Sequence, residues 1–148
     1  EQLFALLASS SERAVYNILW VFTHLPPAER RWLWPRRDIL ADMLLTATHI
    51  GQRRLLLTLL NAIPIDASGL RTDLLDHCLA HINTTEPYAI RALSLKQAWA
   101  QCRFYPELIE ELRLHIEIMS ASDLPPGLRS ARRSVLRAIE AQSRPSSR

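Results

Sequence analysis

Asp73, His77 and His81 stand at four-residue intervals in this 148-residue chain, with Cys78 beside them. On a helix that spacing brings the three side chains to one face. Two histidines one turn apart, with a carboxylate a further turn away, form a ligand set for Zn or Ni. The glutamate that would turn such a pair into a hydrolytic zinc site is missing, because Cys78, Leu79 and Ala80 fill the interval. On a helical wheel the trio lies beside the apolar stripe Leu74, Leu75, Cys78, Leu79 and Ile82. A solvated helix flank is the plainer reading, and no metal or other cofactor is assigned.

The densest chemical feature is Arg30-Arg31-Trp32-Leu33-Trp34-Pro35-Arg36-Arg37. Aromatics interleaved with Arg can stack on bases and hold phosphates. Trp and Arg also dominate the energetic centres of protein interfaces. A third reading is structural, with the two Trp filling a gap between helices and the Arg stems lying along apolar surface. Arg129, Arg132, Arg133 and Arg137 form a basic stripe further on, suited either to the solvated face of a terminal helix or to a phosphate-binding edge. No Ser-His-Asp, Cys-His or paired-carboxylate spacing announces a catalytic pocket. The three glycines form neither a GxGxxG nor a P-loop pattern, so no catalytic residue is assigned and the chain is read as non-enzymatic.

The elements that must position these residues follow from composition. Apolar residues make up 48% of the chain and charged residues 22%, which excludes wholesale disorder. With 26 Leu and 17 Ala against 3 Gly, the balance favours helix. No apolar run approaches the roughly 20 residues a membrane span needs. Seventeen of the 18 basic residues are Arg, and they gather at 30–54 and 129–148, while 66–123 holds nine acids against five bases. Such a chain is not a uniformly cationic nucleic-acid binder. Cys78 and Cys102 sit in apolar helical contexts, which suits free buried thiols and a cytoplasmic location.

Pro and Gly punctuate the chain into amphipathic segments with 3.6-residue periodicity. Helices are predicted over Leu3–Ala8, Glu12–His24, Arg36–His49, Gln52–Ile63, Leu70–Ile82, Pro87–Phe104, Glu107–Met119 and Leu128–Gln142, with a short turn over 28–34. Ser9-Ser10-Ser11 offers a cap for the second helix, Asp66 and Ser68 for the fifth, and Asn83-Thr84-Thr85 for the sixth. Gly51 is expected to break the chain before the fourth. In the seventh, Glu110 and Glu117 are placed to pair with Arg113. No segment alternates as a strand would. The expected fold is all-α with seven or eight helices in one domain over 1–142, followed by a disordered tail over 143–148.

A repeat near 40 residues runs through these helices. Arg13, Arg54, Arg91 and Arg132 align at intervals of 41, 37 and 41 residues, each in the early part of a helix that follows another helix. The clearest unit spans Leu70–Tyr105, where Pro87-Tyr88-Ala89-Ile90-Arg91-Ala92-Leu93 opens a long second helix. That unit resembles a HEAT repeat. The resemblance implies a HEAT/armadillo-like α-solenoid, a right-handed α–α superhelix, in which the repeat Arg commonly reaches a carboxylate in the preceding turn. It also implies that the second helix of each pair faces the concave side, here with Tyr88, Arg91, Leu95, Trp99 and Arg103. Solenoid faces of that kind bind partners by shape and patches, so the chain is expected to bind another protein. The candidate contacts are Arg30, Arg31, Trp32, Trp34, Arg36, Arg37, Tyr88, Arg91 and Arg103. A nucleic-acid-binding solenoid, similar to the alkylpurine DNA glycosylases built of HEAT-like repeats, is the alternative. Trp99 is expected to be largely buried among the fifth, sixth and seventh helices.

Overall fold

The computed structural model describes residues 1–119 and 121–144, and every regular element among them is helical. The α-helices are α1 (Gln2–Leu6), α2 (Glu12–Thr23), α3 (Arg37–Thr46), α4 (Ile50–Ala62), α5 (Thr72–Ala80), α6 (Tyr88–Cys102), α7 (Pro106–Ile118) and α8 (Pro126–Ser143). Tighter 3-10 turns occupy Glu29–Arg36, Ala67–Gly69 and Ala121–Asp123. The all-α expectation of seven or eight helices holds for the described residues. Within the single domain expected over 1–142, the chain forms two compact units, one of Glu1–Pro64 and one beginning at Ile65.

In the first unit α4 is the central helix. It packs against both α2 and α3, and accordingly buries Leu55, Leu56, Leu57, Leu59 and Leu60 over most of its circumference. Ser11 caps α2 as expected, its hydroxyl accepting from the Ala14 N–H at 3.3 Å. Gly51 does not break the chain: α4 starts one residue earlier, at Ile50, and His49 caps it by accepting from the Gln52 N–H. The glycine is there for closeness, since a Cβ at Gly51 would stand 2.8 Å from the Tyr16 ring of α2. Gln52 adds a cross-helix bond, its side-chain amide donating to the Glu12 carbonyl at 2.8 Å.

In the second unit α6 takes the central place, packed by α5, α7 and α8. Its core face is Ile90, Leu95, Ala98 and Cys102, but Ser94, Gln97 and Gln101 are buried with them. The glutamines have work to do there. Gln101 donates to the Gln97 side-chain oxygen at 2.9 Å and accepts from the Arg71 N–H at 2.8 Å. Arg71 opens α5, which has no side-chain cap of its own. The expected cap, Asp66, instead serves the 3-10 turn beside it by accepting from the Ser68 N–H. At the other end of α5, Arg91 of α6 donates to the Ile82 carbonyl at 2.7 Å. α6 likewise lacks a side-chain cap, because Pro87 holds that position; Thr84 accepts from the Glu86 N–H and donates to the His81 carbonyl, both outside the helix. Prolines at the first positions of α7 and α8 suit ends where the N–H would have no partner.

Two expectations shift and one holds. Leu95 is fully buried in the core, so it faces no concave surface. Trp99 is largely buried as expected, at the edge of the core that Ile90, Leu95, Ala98 and Cys102 fill. α8 runs on to Ser143, which the sequence placed in a disordered tail; residues 145–148 lie outside the described residues. Replacing Gln101 by Leu should take from the part-buried Arg71 N–H the side-chain oxygen it donates to. We expect a loss of about 1–3 kcal/mol, read as a lower urea midpoint at unchanged slope, with Gln101→Glu as the shape-matched control.

Candidate partner-binding surface

The Arg- and Trp-rich segment forms a 3-10 helix, and its three-residue period decides which side chains meet. Residues three apart eclipse, whereas residues two apart point to different sides. Trp32 and Trp34 therefore part company. Trp32 turns inward, edge-on to Phe4 at 5.9 Å and to Phe22 at 5.5 Å between ring centroids. Trp34 stays 41% exposed, with the guanidinium of Arg31, three residues before it, 5.7 Å from its ring centre. Pro35 has no N–H to offer the Trp32 carbonyl in the three-residue pattern, and the Arg36 guanidinium takes that carbonyl instead.

Arg36 is thereby committed to the fold. Its guanidinium also lies 4.7 Å over Trp32 and 5.6 Å over Phe4, and it pairs with Glu1 at 3.0 Å. Arg30, Arg31 and Trp34 line a shallow cleft of about 370 Å³ with Pro27, Ala28 and Ala62. Arg30 is half-buried, and its Nε has no hydrogen-bond partner among the described residues. Arg37, half-buried at the start of α3, lies outside this cleft. The cleft thus offers two guanidiniums and an open indole face, which suits an anionic group carried on an apolar or aromatic side chain.

The remaining candidates divide in the same way. Tyr88 is 56% exposed at the start of α6, and Arg91, 6.0 Å from its ring, spends its Nε on the Ile82 carbonyl. Arg103 is exposed and lies 4.6 Å over Phe104. The carboxylate expected to receive the repeat Arg is thus replaced at Arg91 by a backbone carbonyl. The Asp73–His77–His81 trio is not assembled for a metal. Asp73 is held by the Arg71 guanidinium at 2.8 Å, which keeps its carboxyl below the usual range. His81 directs Nδ1 to the His77 carbonyl and places Nε2 3.8 Å from Glu86. Among the described residues no group of three or more His, Cys, Asp or Glu is placed to hold a metal ion.

The sequence reading missed two exposed apolar features. Trp20 is 48% exposed on α2 with its ring stacked 3.8 Å from that of His24. Leu3 and Val21 open onto an apolar cleft of about 480 Å³ backed by Phe22, Leu25 and Trp32. The available signal was position: Trp20 and Val21 fall off the stripe Val15, Ile18, Leu19 and Phe22 that α2 buries. On α7, Arg113 is clamped between Glu110 and Glu117 as the spacing predicts, while Leu114 and Ile118 are left exposed. No helix among the described residues is long and apolar enough to cross a membrane.

A family model described as a HEAT repeat domain matches residues 1–139. No curated protein and no solved structure shows a match.

Two outcomes follow from these placements. Trp32→Ala removes a ring packed on Phe4, Phe22 and Arg36 and should cost about 2 kcal/mol or more, whereas Trp34→Ala should stay within about 0.5 kcal/mol of the parent. Chemical denaturation of the two variants side by side checks both. Cys78 and Cys102 are fully buried, and burial pushes each thiol from its usual value near 9 up to about 12. An alkylating reagent at pH 8 should therefore modify neither until the chain unfolds. Because the unfolded thiols release their protons first, this contribution to stability is intact below pH 9 and falls as pH rises from 9 towards 12.

Proposed function

The chain belongs to the HEAT repeat domain family, and from that premise we propose that it is a non-enzymatic interaction module holding a protein partner at the Arg30–Arg31–Trp34 cleft. Its fold class is that family's α–α superhelix. Such folds place function in surface shape and patches, not in a buried pocket. The observation that carries the choice of surface is Trp34. It is a large aromatic left open beside two guanidiniums, in a segment whose other Trp is turned inward.

Trp and Arg are the residue types that contribute most when an interface closes over them. The Arg31–Trp34 contact pre-orders both side chains, which lowers the entropy lost on binding. The buried thiols, held neutral, support placing the protein in the cytoplasm. A nucleic-acid role finds less support here, because Arg36 and Arg91 are spent on carbonyls and aromatic rings of the fold itself.

Affinity capture with the full chain and its Trp34→Ala and Arg31→Ala variants tests the reading. A stoichiometric protein retained by the parent should bind each variant at least about 30-fold more weakly, the loss typical of a central interface residue. Retention at parental affinity by Trp34→Ala, with thermal stability unchanged, would overturn the assignment.

A further inference from the structure

α8 carries a second surface of a different kind. Leu128, Ala131, Val135 and Ile139 form its buried face, and α8 packs chiefly on α6. Arg129, Arg133 and Arg137 stand on the opposite side at four-residue intervals, all exposed. Arg129 donates to the Leu124 carbonyl at 2.9 Å, but neither the Arg133 nor the Arg137 guanidinium has an ion pair or hydrogen bond among the described residues. Like charges at four-residue spacing repel one another along a helix. The contrast with α7 is instructive, because there the same unit surrounds Arg113 with Glu110 and Glu117 and neutralises it.

Beside the Arg row the helix presents small side chains. Ser130 and Ser134 are exposed on the neighbouring ridge, and a Cβ at Gly127 would meet nothing within 4 Å. A row of long side chains next to a row of short ones is the relief into which another helix packs, ridge into groove. Guanidiniums recur at about 6 Å along that row, the rise of four residues, and a partner helix with carboxylates at the same interval meets each one with a two-pronged contact. The unit from Ile65 onward holds eleven bases against ten acids, so it has little long-range attraction for a polyanion. Local spacing, not bulk charge, is what this face offers.

We propose that the Arg129–Arg133–Arg137 face of α8 docks an acidic α-helical segment of a protein partner, one with carboxylates at four-residue intervals. This surface lies in the unit that does not contain Trp34, and the inference does not depend on the Trp34 reading. The probe is an alanine-based 20-residue helical peptide with Glu at every fourth position, measured by fluorescence anisotropy against the full chain at low salt. A peptide of the same composition with shuffled Glu positions and a duplex DNA of matched length complete the set.

The spaced peptide should bind about tenfold or more tightly than the shuffled one and weaken as salt rises. Arg133→Glu/Arg137→Glu should lose that binding and instead take up the corresponding Lys-spaced peptide, while Trp34→Ala binds as the parent does. Both substitutions lie on an exposed helix face, and circular dichroism of the double variant confirms that the helices remain. Equal binding of spaced and shuffled peptides, no binding of either, or tighter binding of the duplex that Arg133→Glu/Arg137→Glu abolishes would each overturn the proposal. The last of these would assign the face to nucleic acid.

Discussion

A helix leaves backbone donors at one end and acceptors at the other, and in a chain of short paired helices these must find partners outside their own helix. Here the neighbouring helix supplies them. α5 has no side-chain cap, yet α6 holds both its ends: Gln101 accepts from the Arg71 N–H and Arg91 donates to the Ile82 carbonyl. The two contacts are ten residues apart on α6, so together they fix the axial register of the pair as well as its spacing. Elsewhere Gln52 of α4 adds a further donor to the Glu12 carbonyl of α2, and Asn83, in the connection after α5, donates to the His115 carbonyl in the last turn of α7. Apolar burial tolerates sliding; a bonded helix end does not. Which side chains reach the surface of α6 and of its neighbours depends on that register.

Arginine makes this economy possible, and it is nearly the only base the chain uses. Its planar fork donates to a carbonyl while its face lies on a ring, a combination an ammonium cannot match. Arg36 does both at once, on the Trp32 carbonyl and over the Trp32 and Phe4 rings. Arg71 and Arg113 are matched to carboxylates within reach of their own helices. Against that background the arginines left without such partners stand apart. Among the described residues the guanidiniums of Arg30, Arg133 and Arg137 have no ion pair or hydrogen bond, and the first lies beside an exposed Trp.

Helix positions and faces were legible because a 3.6-residue apolar period survives in every long segment. Leu112 and Ile116 of α7 and Met119 at its cap follow that period and are buried. Caps were less legible. Ser11 sits next to the helix it serves, but Gln101 lies 30 residues from the N–H it satisfies, and nothing local marks it. The Trp-rich segment shows a different limit. Its fate turns on a three-residue period, and with a proline near its end the same eight residues give no clear helical or extended pattern. Grouping Trp32 with Trp34 as one candidate surface was therefore natural, and the tighter helix separates them. Trp99 was legible too: a large aromatic on a central helix suggests burial, and it is largely buried at the edge of the core that Ile90, Leu95 and Ala98 fill.

The repeat itself carries register more than chemistry. Arg13, Arg54, Arg91 and Arg132 are equivalent by spacing, yet their surroundings differ. Arg13 and Arg54 are exposed, Arg91 is tied to a carbonyl, and Arg132 is half-buried with its Nε unpartnered among the described residues. Stacked repeats need only apolar faces and satisfied ends at equivalent positions, so the polar residues between them are free to diverge. The two surfaces left chemically open bear this out. One belongs to the 3-10 insertion between α2 and α3, and the other to the outer face of α8. At both, the open side chains lie off the packed faces, with Ala62 of α4 only bordering the first, and a repeat fold can vary such positions without disturbing the packing that α4 and α6 maintain.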